Sequence, residues 1–298
     1  MIAAMSNSLV RRVLPSLAVL GSVVSLCLGT SFAKHLFPIV GAQGTTALRV
    51  GFSALLLLAI WRPWRFGPSR SNLGQIACFG VALGLMNLLF YMSIQTIPFG
   101  VAVAIEFAGP LAVAMVSSRR VVDFVWMACA VLGLGLLLPW REGTGSLDPM
   151  GVFYALAAAV AWGLYIVFGK RTSHLHSGVS VSLGLAVAAL VVLPVGVAHA
   201  GAALLNPTVL LIAVGVAAVS SAIPISLEMV ALRRLPRETF GVMLSTEPAV
   251  AALLGLLLLG EHLSPVQWFA IGCIITASVG CAMTVRQAVL LQEGGVVA

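Results

Sequence analysis

The sequence predicts an all-α protein that crosses a membrane many times. Of its 298 residues, 60% are hydrophobic and only 8% are charged, whereas soluble domains carry about 25% charged residues. Apolar stretches follow one another along the chain, and each is close to the roughly 20 residues that cross the hydrocarbon core of a bilayer as a helix. The stretches are continuously apolar and do not alternate with polar residues, which excludes a transmembrane β-barrel.

Charges, prolines and turn residues divide the chain into ten apolar stretches, and we predict that each forms a transmembrane helix. An even number of crossings would leave both termini on the same side of the membrane. The ten stretches are 13–33, 41–60, 73–94, 97–116, 122–139, 150–169, 179–198, 207–230, 238–259 and 265–284.

The distribution of basic residues predicts which side holds the termini. Cytoplasmic loops of membrane proteins are enriched in Lys and Arg. If the N-terminus is cytoplasmic, 13 of the 16 Lys and Arg residues fall in cytoplasmic segments; of the other three, Lys34 and Arg141 lie outside and Arg49 lies within a span. Both termini are therefore predicted to be cytoplasmic.

Several functional classes are excluded by composition and motifs. The net charge of +7 does not indicate nucleic-acid binding, because the basic residues occur singly or in pairs between apolar stretches. The five cysteines form no Cys-x-x-Cys pair and have no histidines at metal-ligand spacing, so we expect neither a metal site nor a cofactor. The sequence also lacks nucleophile-elbow, zincin and Walker A motifs, and we therefore expect neither an enzyme nor an ATP-driven pump.

Short similarities relate the two halves of the chain. The tripeptide Phe-Gly-Val at 99–101 recurs at 240–242, and an acid follows each copy five residues later, at Glu106 and Glu247. Similar tripeptides, Phe-Ala-Lys and Phe-Gly-Lys, end the first and the sixth apolar stretch. The chain is therefore predicted to contain an internal duplication of five spans each.

Five spans are an odd number, so the second copy would enter the membrane from the opposite side. Such inverted repeats are typical of transporters in which two conformations expose one central site to either side of the membrane. The predicted organisation is a cytoplasmic N-terminus at 1–12, one five-helix repeat at 13–145, a second at 146–286 and a cytoplasmic tail at 287–298.

Ionisable side chains inside predicted spans are the candidate functional residues. A charge at the bilayer centre costs about 2.5–3.5 kcal/mol, so such residues mark substrate or ion pathways. Glu106 and Glu247 lie near the middle of the fourth and ninth spans. Arg49 lies about 12 Å into the second span at 1.5 Å per residue, and Glu228 is closer to the cytoplasmic end of the eighth.

These charges suit a zwitterionic amino acid. Arg49 can bind a carboxylate through two parallel hydrogen bonds, and Glu106 or Glu247 can accept the ammonium group or carry a coupling proton. The alternative is that Arg49 forms a structural ion pair with one of these acids. Glu228 has a similar alternative, which is an interfacial pairing with the arginines at 233–234.

Prolines predict that the helices are interrupted next to both central acids, because proline cannot donate a backbone hydrogen bond. Pro110 follows Glu106 by four residues, and Pro248 follows Glu247 directly. Freed backbone groups are tolerated at membrane depth where they face protein or a wet cavity. A substrate site is therefore expected there, and a simple packing kink is the competing interpretation.

Four polar or aromatic residues are weaker candidates for lining that site. Asn87 and Tyr91 lie four residues apart on the third span, and Trp162 and Tyr165 share the sixth. Hydrogen bonding between helices or aromatic packing is the commoner role of such residues.

Three long stretches, 31–51, 94–126 and 226–255, resemble the bacterial threonine/homoserine exporters of the EamA group, in the drug/metabolite transporter superfamily. The likeness runs from about residue 12 to 286. It implies ten helices in two inverted repeats, an inner-membrane location, and efflux of threonine, homoserine and similar amino acids by proton antiport. The resemblance assigns no roles to individual residues, so those of the charged residues rest on their depth.

The leading prediction is thus a secondary exporter of small hydrophilic amino acids, with protons as the coupling ion. One alternative is export of other metabolites or cationic drugs, for which the acids alone would suffice; the positive charge of Arg49 argues against cations. Another alternative is a membrane scaffold or sensor that transports nothing, in which the buried charges would be structural.

Overall fold

The computed structural model describes residues 2–65, 70–116, 121–137, 147–172, 175, 177–232, 235 and 237–294. These residues are almost entirely helical and contain no strand, which confirms the all-α prediction for this part of the chain. Some positions named from the sequence lie outside the described residues. They are Arg141, the boundary between 145 and 146, and the arginines at 233–234.

The described residues form thirteen α-helices, and every one of the ten apolar stretches contains one or two of them. The helices are α1 (Ile2–Ala33), α2 (Phe37–Trp61), α3 (Arg70–Ser93), α4 (Phe99–Glu106), α5 (Ala108–Val116), α6 (Val121–Leu137), α7 (Pro149–Arg171), α8 (Ser177–Ala200), α9 (Pro207–Ala217), α10 (Ile223–Leu232), α11 (Arg237–Leu244), α12 (Glu247–Leu259) and α13 (Pro265–Gly294).

Six described segments are long and apolar enough to cross a membrane by length and composition. They are Pro15–Trp61, Asn72–Ser93, Pro149–Arg171, Gly178–Leu205, Pro207–Glu228 and Phe240–Leu259. Three further apolar helices are shorter, namely Phe99–Val113, Phe124–Leu137 and Pro265–Gly280. The first segment contains α1 from Pro15 onward and all of α2. The chain kinks at Gly41, whose φ of 68° is accessible to glycine without the steric cost of a Cβ atom.

The helices break beside both central acids, as the prolines predict. Glu106 is the last residue of α4, and Glu247 is the first residue of α12 after a two-residue turn from α11. In each case the proline lacks the N–H group that would continue the ladder, so the carbonyls of Glu106 and Leu244 lose their usual donors at Pro110 and Pro248. A third irregularity, a π-helical turn at Ala218–Ala222 between α9 and α10, has no counterpart in the sequence predictions.

The core lies where the interrupted helices meet. α4 packs against α12, and a Cβ atom on Gly100 would lie 2.5 Å from the Cα of Ala252, so glycine is required for this approach. Around this contact, α2 packs against α8, α3 against α7 and α8, α1 against α10, and α6 against α13. The largest fully buried side chains in this core include Phe99, the first residue of α4, and Tyr91 and Ile94, which precede it.

Candidate functional site

A cavity of about 580 Å³ lies among α1, α2, α3, α7, α8, α10 and the π-helical turn. This volume falls in the range of small-molecule sites, about 300–1,000 Å³. Polar side chains from four of these helices and from the turn face into it. They are Arg49, Ser53, Asn87, Tyr165, Ser220, Ser221 and Glu228, and most of the remaining lining is apolar.

Arg49 is held in place by neutral partners. Its Nε donates to Ser220 Oγ at 2.9 Å and its Nη1 donates to Asn87 Oδ1 at 2.7 Å. The guanidinium carbon lies 5.2 Å from the centroid of the Tyr91 ring, a cation–π arrangement. Of the five N–H donors of a guanidinium, three therefore have no partner among the described residues.

The described residues provide no carboxylate within 4.0 Å of the Arg49 guanidinium. The permanent ion pair that was the alternative interpretation of this residue is thus absent from the described part of the chain. A positive charge with unused donors, placed beside a cavity, is suited to binding an anionic group such as a carboxylate.

Glu228 is the acidic group of the same cavity. It lies on α10, and its Oε1 accepts a hydrogen bond from Ser22 Oγ on α1 at 2.7 Å. Tyr165 is close enough to interact with it electrostatically, and the Tyr165 ring stacks on Phe79 with centroids 4.9 Å apart. The arginines at 233–234, which the sequence offered as partners of Glu228, lie outside the described residues.

The π-helical turn presents two consecutive serines to the cavity. Ser220 accepts from Arg49 and donates to the carbonyl of Val216 at 2.7 Å. Ser221 accepts a hydrogen bond from Ser53 on α2 at 2.8 Å. Wider π turns interrupt α-helices chiefly at functional sites, and here the turn supplies polar contacts in an otherwise apolar helix.

Glu106 and Glu247 do not line the cavity. Glu106 is 7% exposed and lies in the core, within electrostatic range of both Glu247 and Arg49. Glu247 is in turn within electrostatic range of Glu228. The three acids thus form a series that leads from the core to the cavity. Whether they handle substrate or protons stays a prediction.

The structure separates the four weaker candidates. Asn87 and Tyr165 line the cavity, and Tyr91 lies against Arg49 just outside it. The Tyr91 side chain is fully buried, and its hydroxyl has no partner among the described residues. Trp162 does not line the cavity and packs edge-on against Phe107 with ring centroids 5.2 Å apart.

Sequence reasoning missed the serines. Ser53 follows Arg49 by four residues and so shares its helix face, which was a usable signal. The Ser-Ser pair at 220–221 interrupts the apolar run of the eighth stretch, which was a second signal. Ser22 offered none, because its partner Glu228 is 206 residues away in the chain. No three His, Cys, Asp or Glu side chains within the described ranges are placed to hold a metal ion.

An ion pair and a hydrogen bond join separate chain segments at the end of the bundle near Lys34. Lys34 Nζ contacts Glu261 Oε1 at 2.5 Å, and Glu261 Oε2 accepts a hydrogen bond from the backbone N–H of Phe99 at 2.7 Å. We call Lys34, Glu261 and Phe99 the closed end. Aromatic rings continue from Phe99 toward the cavity: Phe90 lies 6.3 Å from Phe99 and 6.0 Å from Tyr91, centroid to centroid.

Relatives match this chain over almost its whole length. The chain is 47% identical to the Threonine/homoserine exporter RhtA of Escherichia coli (strain K12) over 94% of this chain and 95% of the relative. The protein of the same name from Salmonella typhimurium (strain LT2) is 46% identical, over 92% of this chain and 93% of its own length. The Uncharacterized inner membrane transporter YedA of Escherichia coli (strain K12) is 27% identical, over 90% of this chain and 91% of its own length.

The EamA-like transporter family matches residues 149–283. A crystal structure of another protein shares the fold, with a TM-score of 0.56 and 19% identity over 92% of this chain and 98% of that chain. The relatives are named as exporters or transporters and not as enzymes. Together with the apolar helices, they confirm the prediction of a multi-pass transporter of the bacterial inner membrane.

Proposed function

Since this chain belongs to the EamA-like transporter family, we propose that it exports small hydrophilic amino acids such as threonine and homoserine. The observation that carries the proposal is the Arg49 guanidinium, which faces the cavity without a carboxylate partner in the described part of the chain. The substrate class is that named for the relatives with 46–47% identity.

The polar groups of the cavity match the two charges of an amino acid. The substrate carboxylate binds the free donors of Arg49, and the ammonium group lies toward Glu228. Glu228 follows Ser220, the partner of Arg49, by eight residues, or about 12 Å along the helix. Its side chain points back toward the N-terminal end of α10, which shortens the gap that a small zwitterion must bridge.

The same cavity disfavours a cationic drug. A cation would have to lie beside the unpaired positive charge of Arg49, in surroundings where water screens the repulsion poorly. A scaffold or sensor would not need unused hydrogen-bond donors inside the bilayer, because each costs free energy when it is left without a partner.

Ten membrane crossings account best for the helices. Pro15–Trp61 contains 47 residues and would extend about 70 Å as a helix at 1.5 Å per residue. This is more than twice the roughly 30 Å hydrocarbon core, so the segment crosses twice, with the kink at Gly41 between the crossings. The five other long segments and the three shorter apolar helices add eight crossings. The loop charges favour cytoplasmic termini.

The packing supports two inverted repeats, at 13–145 and 146–286. In such a duplication α2 corresponds to α8, α4–α5 to α11–α12, and α6 to α13. α2 packs against α8, α6 packs against α13, and the α4–α5 unit meets the α11–α12 unit through α4 and α12, as a two-fold axis through the bundle allows. Contacts between non-equivalent helices also occur in pairs: α3 packs against α7, and their counterparts α10 and α1 pack against each other.

With cytoplasmic termini, the cavity belongs to a cytoplasm-facing conformation. Its lining runs from Arg49 to Trp61, the last residue of α2, and this end of α2 is cytoplasmic in the proposed topology. Lys34 and Glu261 then lie at the periplasmic side. An exporter loads substrate from the cytoplasm in this state and releases it when the closed end opens.

Proton antiport completes the proposal. Glu106 and Glu247 lie outside the cavity, but within electrostatic range of each other, and Glu106 is also within range of Arg49. A proton that passes from this pair to Glu228, which is within electrostatic range of Glu247, removes the negative charge that binds the substrate ammonium. Proton and substrate would therefore compete for the site, as antiport requires.

The test uses purified protein in proteoliposomes loaded with radiolabelled threonine, homoserine or a quaternary ammonium dye. We expect release of both amino acids, faster with a pH gradient than without one, and no release of the dye. Dye release without amino-acid release would contradict the proposal. In Glu106→Gln the acceleration by the pH gradient should disappear while exchange of threonine across the membrane persists. Acceleration equal to that of the unmodified protein would exclude Glu106 as the proton carrier.

A further inference from the structure

We propose that the hydroxyl pair Ser53–Ser221 recognises the side-chain hydroxyl of the substrate and so determines which small amino acids are transported. This inference rests on the proposed function, because it assigns a specificity role within the same cavity. Both serines line that cavity, one from α2 and the other from the π-helical turn.

The pair departs from the usual behaviour of hydroxyls on these helices. Serine and threonine hydroxyls in membrane helices commonly donate to the carbonyl four residues earlier. The residues that do so here include Thr45, Thr46, Ser182, Ser220, Ser226, Ser245 and Thr276. Ser53 instead donates from α2 to Ser221 Oγ at 2.8 Å and not to the carbonyl of Arg49.

The Ser53–Ser221 hydrogen bond leaves a donor and acceptor lone pairs unused on two side chains that line the cavity. A serine hydroxyl has one donor and two acceptor lone pairs. Ser53 uses its donor on Ser221, and the donor of Ser221 has no acceptor among the described residues. The pair therefore offers one free O–H donor on Ser221 and free lone pairs on Ser53. Because Ser53 is only 2% exposed, its hydroxyl is shielded from bulk water.

A substrate hydroxyl complements this arrangement, because it is itself a donor and an acceptor. It can accept from Ser221 and donate to Ser53. A methyl group in the same position, as in valine compared with threonine, would cover the pair and leave the Ser221 hydrogen without a partner. A site built to hydrogen-bond a substrate hydroxyl rejects the analogue that lacks it for this reason.

The spacing from Arg49 is appropriate for a small amino acid. Ser53 lies four residues after Arg49, which is about 6 Å along α2 and on the same helix face. With the carboxylate on Arg49, the side chain of a small substrate reaches the level of Ser53. The hydroxyl is on Cβ in threonine and on Cγ in homoserine, and both are within this reach.

The first test needs no substitution. Unmodified protein in proteoliposomes transports labelled threonine against increasing concentrations of unlabelled threonine, homoserine, valine or 2-aminobutyrate. We expect valine and 2-aminobutyrate to require roughly 10-fold higher concentrations than the two hydroxylated amino acids for half-inhibition, which corresponds to one neutral hydrogen-bonding group left without a partner. Equal inhibition by threonine and valine would overturn the inference. Absence of threonine transport in the unmodified protein would instead overturn the proposed function itself.

The second test assigns the preference to the pair. Ser53→Ala and Ser221→Ala should each lower the threonine-over-valine preference roughly 10-fold, whereas Ser221→Thr, which keeps the hydroxyl, should retain it. Ser182→Ala is the matched control, because Ser182 is fully buried on α8 and donates to its own helix. An unchanged preference in both alanine variants, or an equal loss of threonine and valine transport, would overturn the specificity role.

Discussion

The cavity and the closed end differ in how their polar groups are satisfied. At the cavity, Arg49 has three unused donors and Ser221 has one among the described residues. At the closed end, the charges of Lys34 and Glu261 pair with each other, and the second oxygen of Glu261 takes the N–H of Phe99. The cavity therefore needs a ligand to provide a counter-charge for Arg49, whereas the opposite charges of the closed end already pair within the protein.

This difference bears on how transport would proceed. Interactions that are complete within the protein hold one conformation, and they must be exchanged for others when the closed end opens. A single ion pair near the surface contributes about 1 kcal/mol or less of free energy to the state in which it forms. Binding of substrate or of a proton can overcome a difference of that size between two conformations. The aromatic contacts from Phe99 through Phe90 to Tyr91 connect this pair to the ring that lies against Arg49.

The largest effect is expected from removing the charge in the cavity. Arg49→Gln should lower the initial rate of threonine export at least about 100-fold. Two charge-assisted hydrogen bonds to the substrate carboxylate are lost, and each contributes about 1.5–3 kcal/mol. The rate is measured in proteoliposomes with equal amounts of monodisperse protein.

Arg65→Gln is the control, since Arg65 is exposed beyond the end of α2 and should transport at the unmodified rate. Arg49→Gln protein that still exports at more than a tenth of that rate would exclude the carboxylate-binding role. Aggregation of Arg49→Gln, with Arg65→Gln intact, would indicate that Arg49 is structural.

A smaller effect is expected at the closed end. Glu261→Gln removes the ion pair with Lys34 but retains an oxygen for the Phe99 N–H. The loss of about 1 kcal/mol or less should shift the ratio of the two conformations by up to about fivefold toward the one in which this end is open and the cavity is covered. A cysteine placed at Leu57, which lines the cavity, should then react more slowly, by up to about fivefold, with a water-soluble maleimide in an otherwise cysteine-free protein.

His262→Gln is a neighbouring control, because His262 is exposed and takes no part in the ion pair. It should leave the labelling rate at Leu57→Cys unchanged. If Glu261→Gln labels as fast as its parent, the ion pair does not determine which end is open.

Local signals explain what the sequence predicts well. Hydropathy identifies the helical stretches, since burial in lipid constrains every residue of a span in the same way. Pro110 and Pro248 identify the helix breaks beside Glu106 and Glu247, because a missing N–H acts within one turn. The Arg49 group is also partly local: Asn87 and Tyr91 share a face of α3, and both contact the guanidinium.

Long-range packing explains what the sequence could not predict. Depth in the membrane favoured Glu106 over Glu228 as the acid beside the substrate, but it is Glu228 that lines the cavity. The cavity exists only because helices far apart in the chain meet, as the bonds Ser22–Glu228 and Arg49–Ser220 demonstrate. The π-helical turn that aims Ser220 and Ser221 has no recognised sequence signature. The ten crossings, the inverted repeats and the cytoplasmic termini stay predictions.

The smallest effect is expected at a second contact near the closed end. Asp148 caps the N-terminus of α7, accepting from the N–H groups of Met150 at 3.3 Å and Gly151 at 3.1 Å, and it also hydrogen-bonds Thr96 between α3 and α4. These hydrogen bonds, that with Thr96 foremost, hold the pKa of Asp148 below its ordinary value. Asp148→Ala should therefore lower the free energy of unfolding at pH 7 by about 0.5–1 kcal/mol, as loss of a helix cap does.

The pH dependence distinguishes a charged cap from a merely polar one. A carboxyl whose pKa is lower in the folded protein stabilises it fully above the unfolded-state pKa of about 4. That stabilisation is lost as the pH falls through the folded-state value. Asp148→Ala should thus be less stable than the unmodified protein at pH 7, and thermal unfolding in detergent should show this difference in stability becoming smaller at pH 3. Asp148→Asn keeps an acceptor for the helix N-terminus and should have a small deficit at pH 7. If the difference in stability between Asp148→Ala and the unmodified protein is as large at pH 3 as at pH 7, the charge of Asp148 does not contribute to the contact between α7 and the closed end.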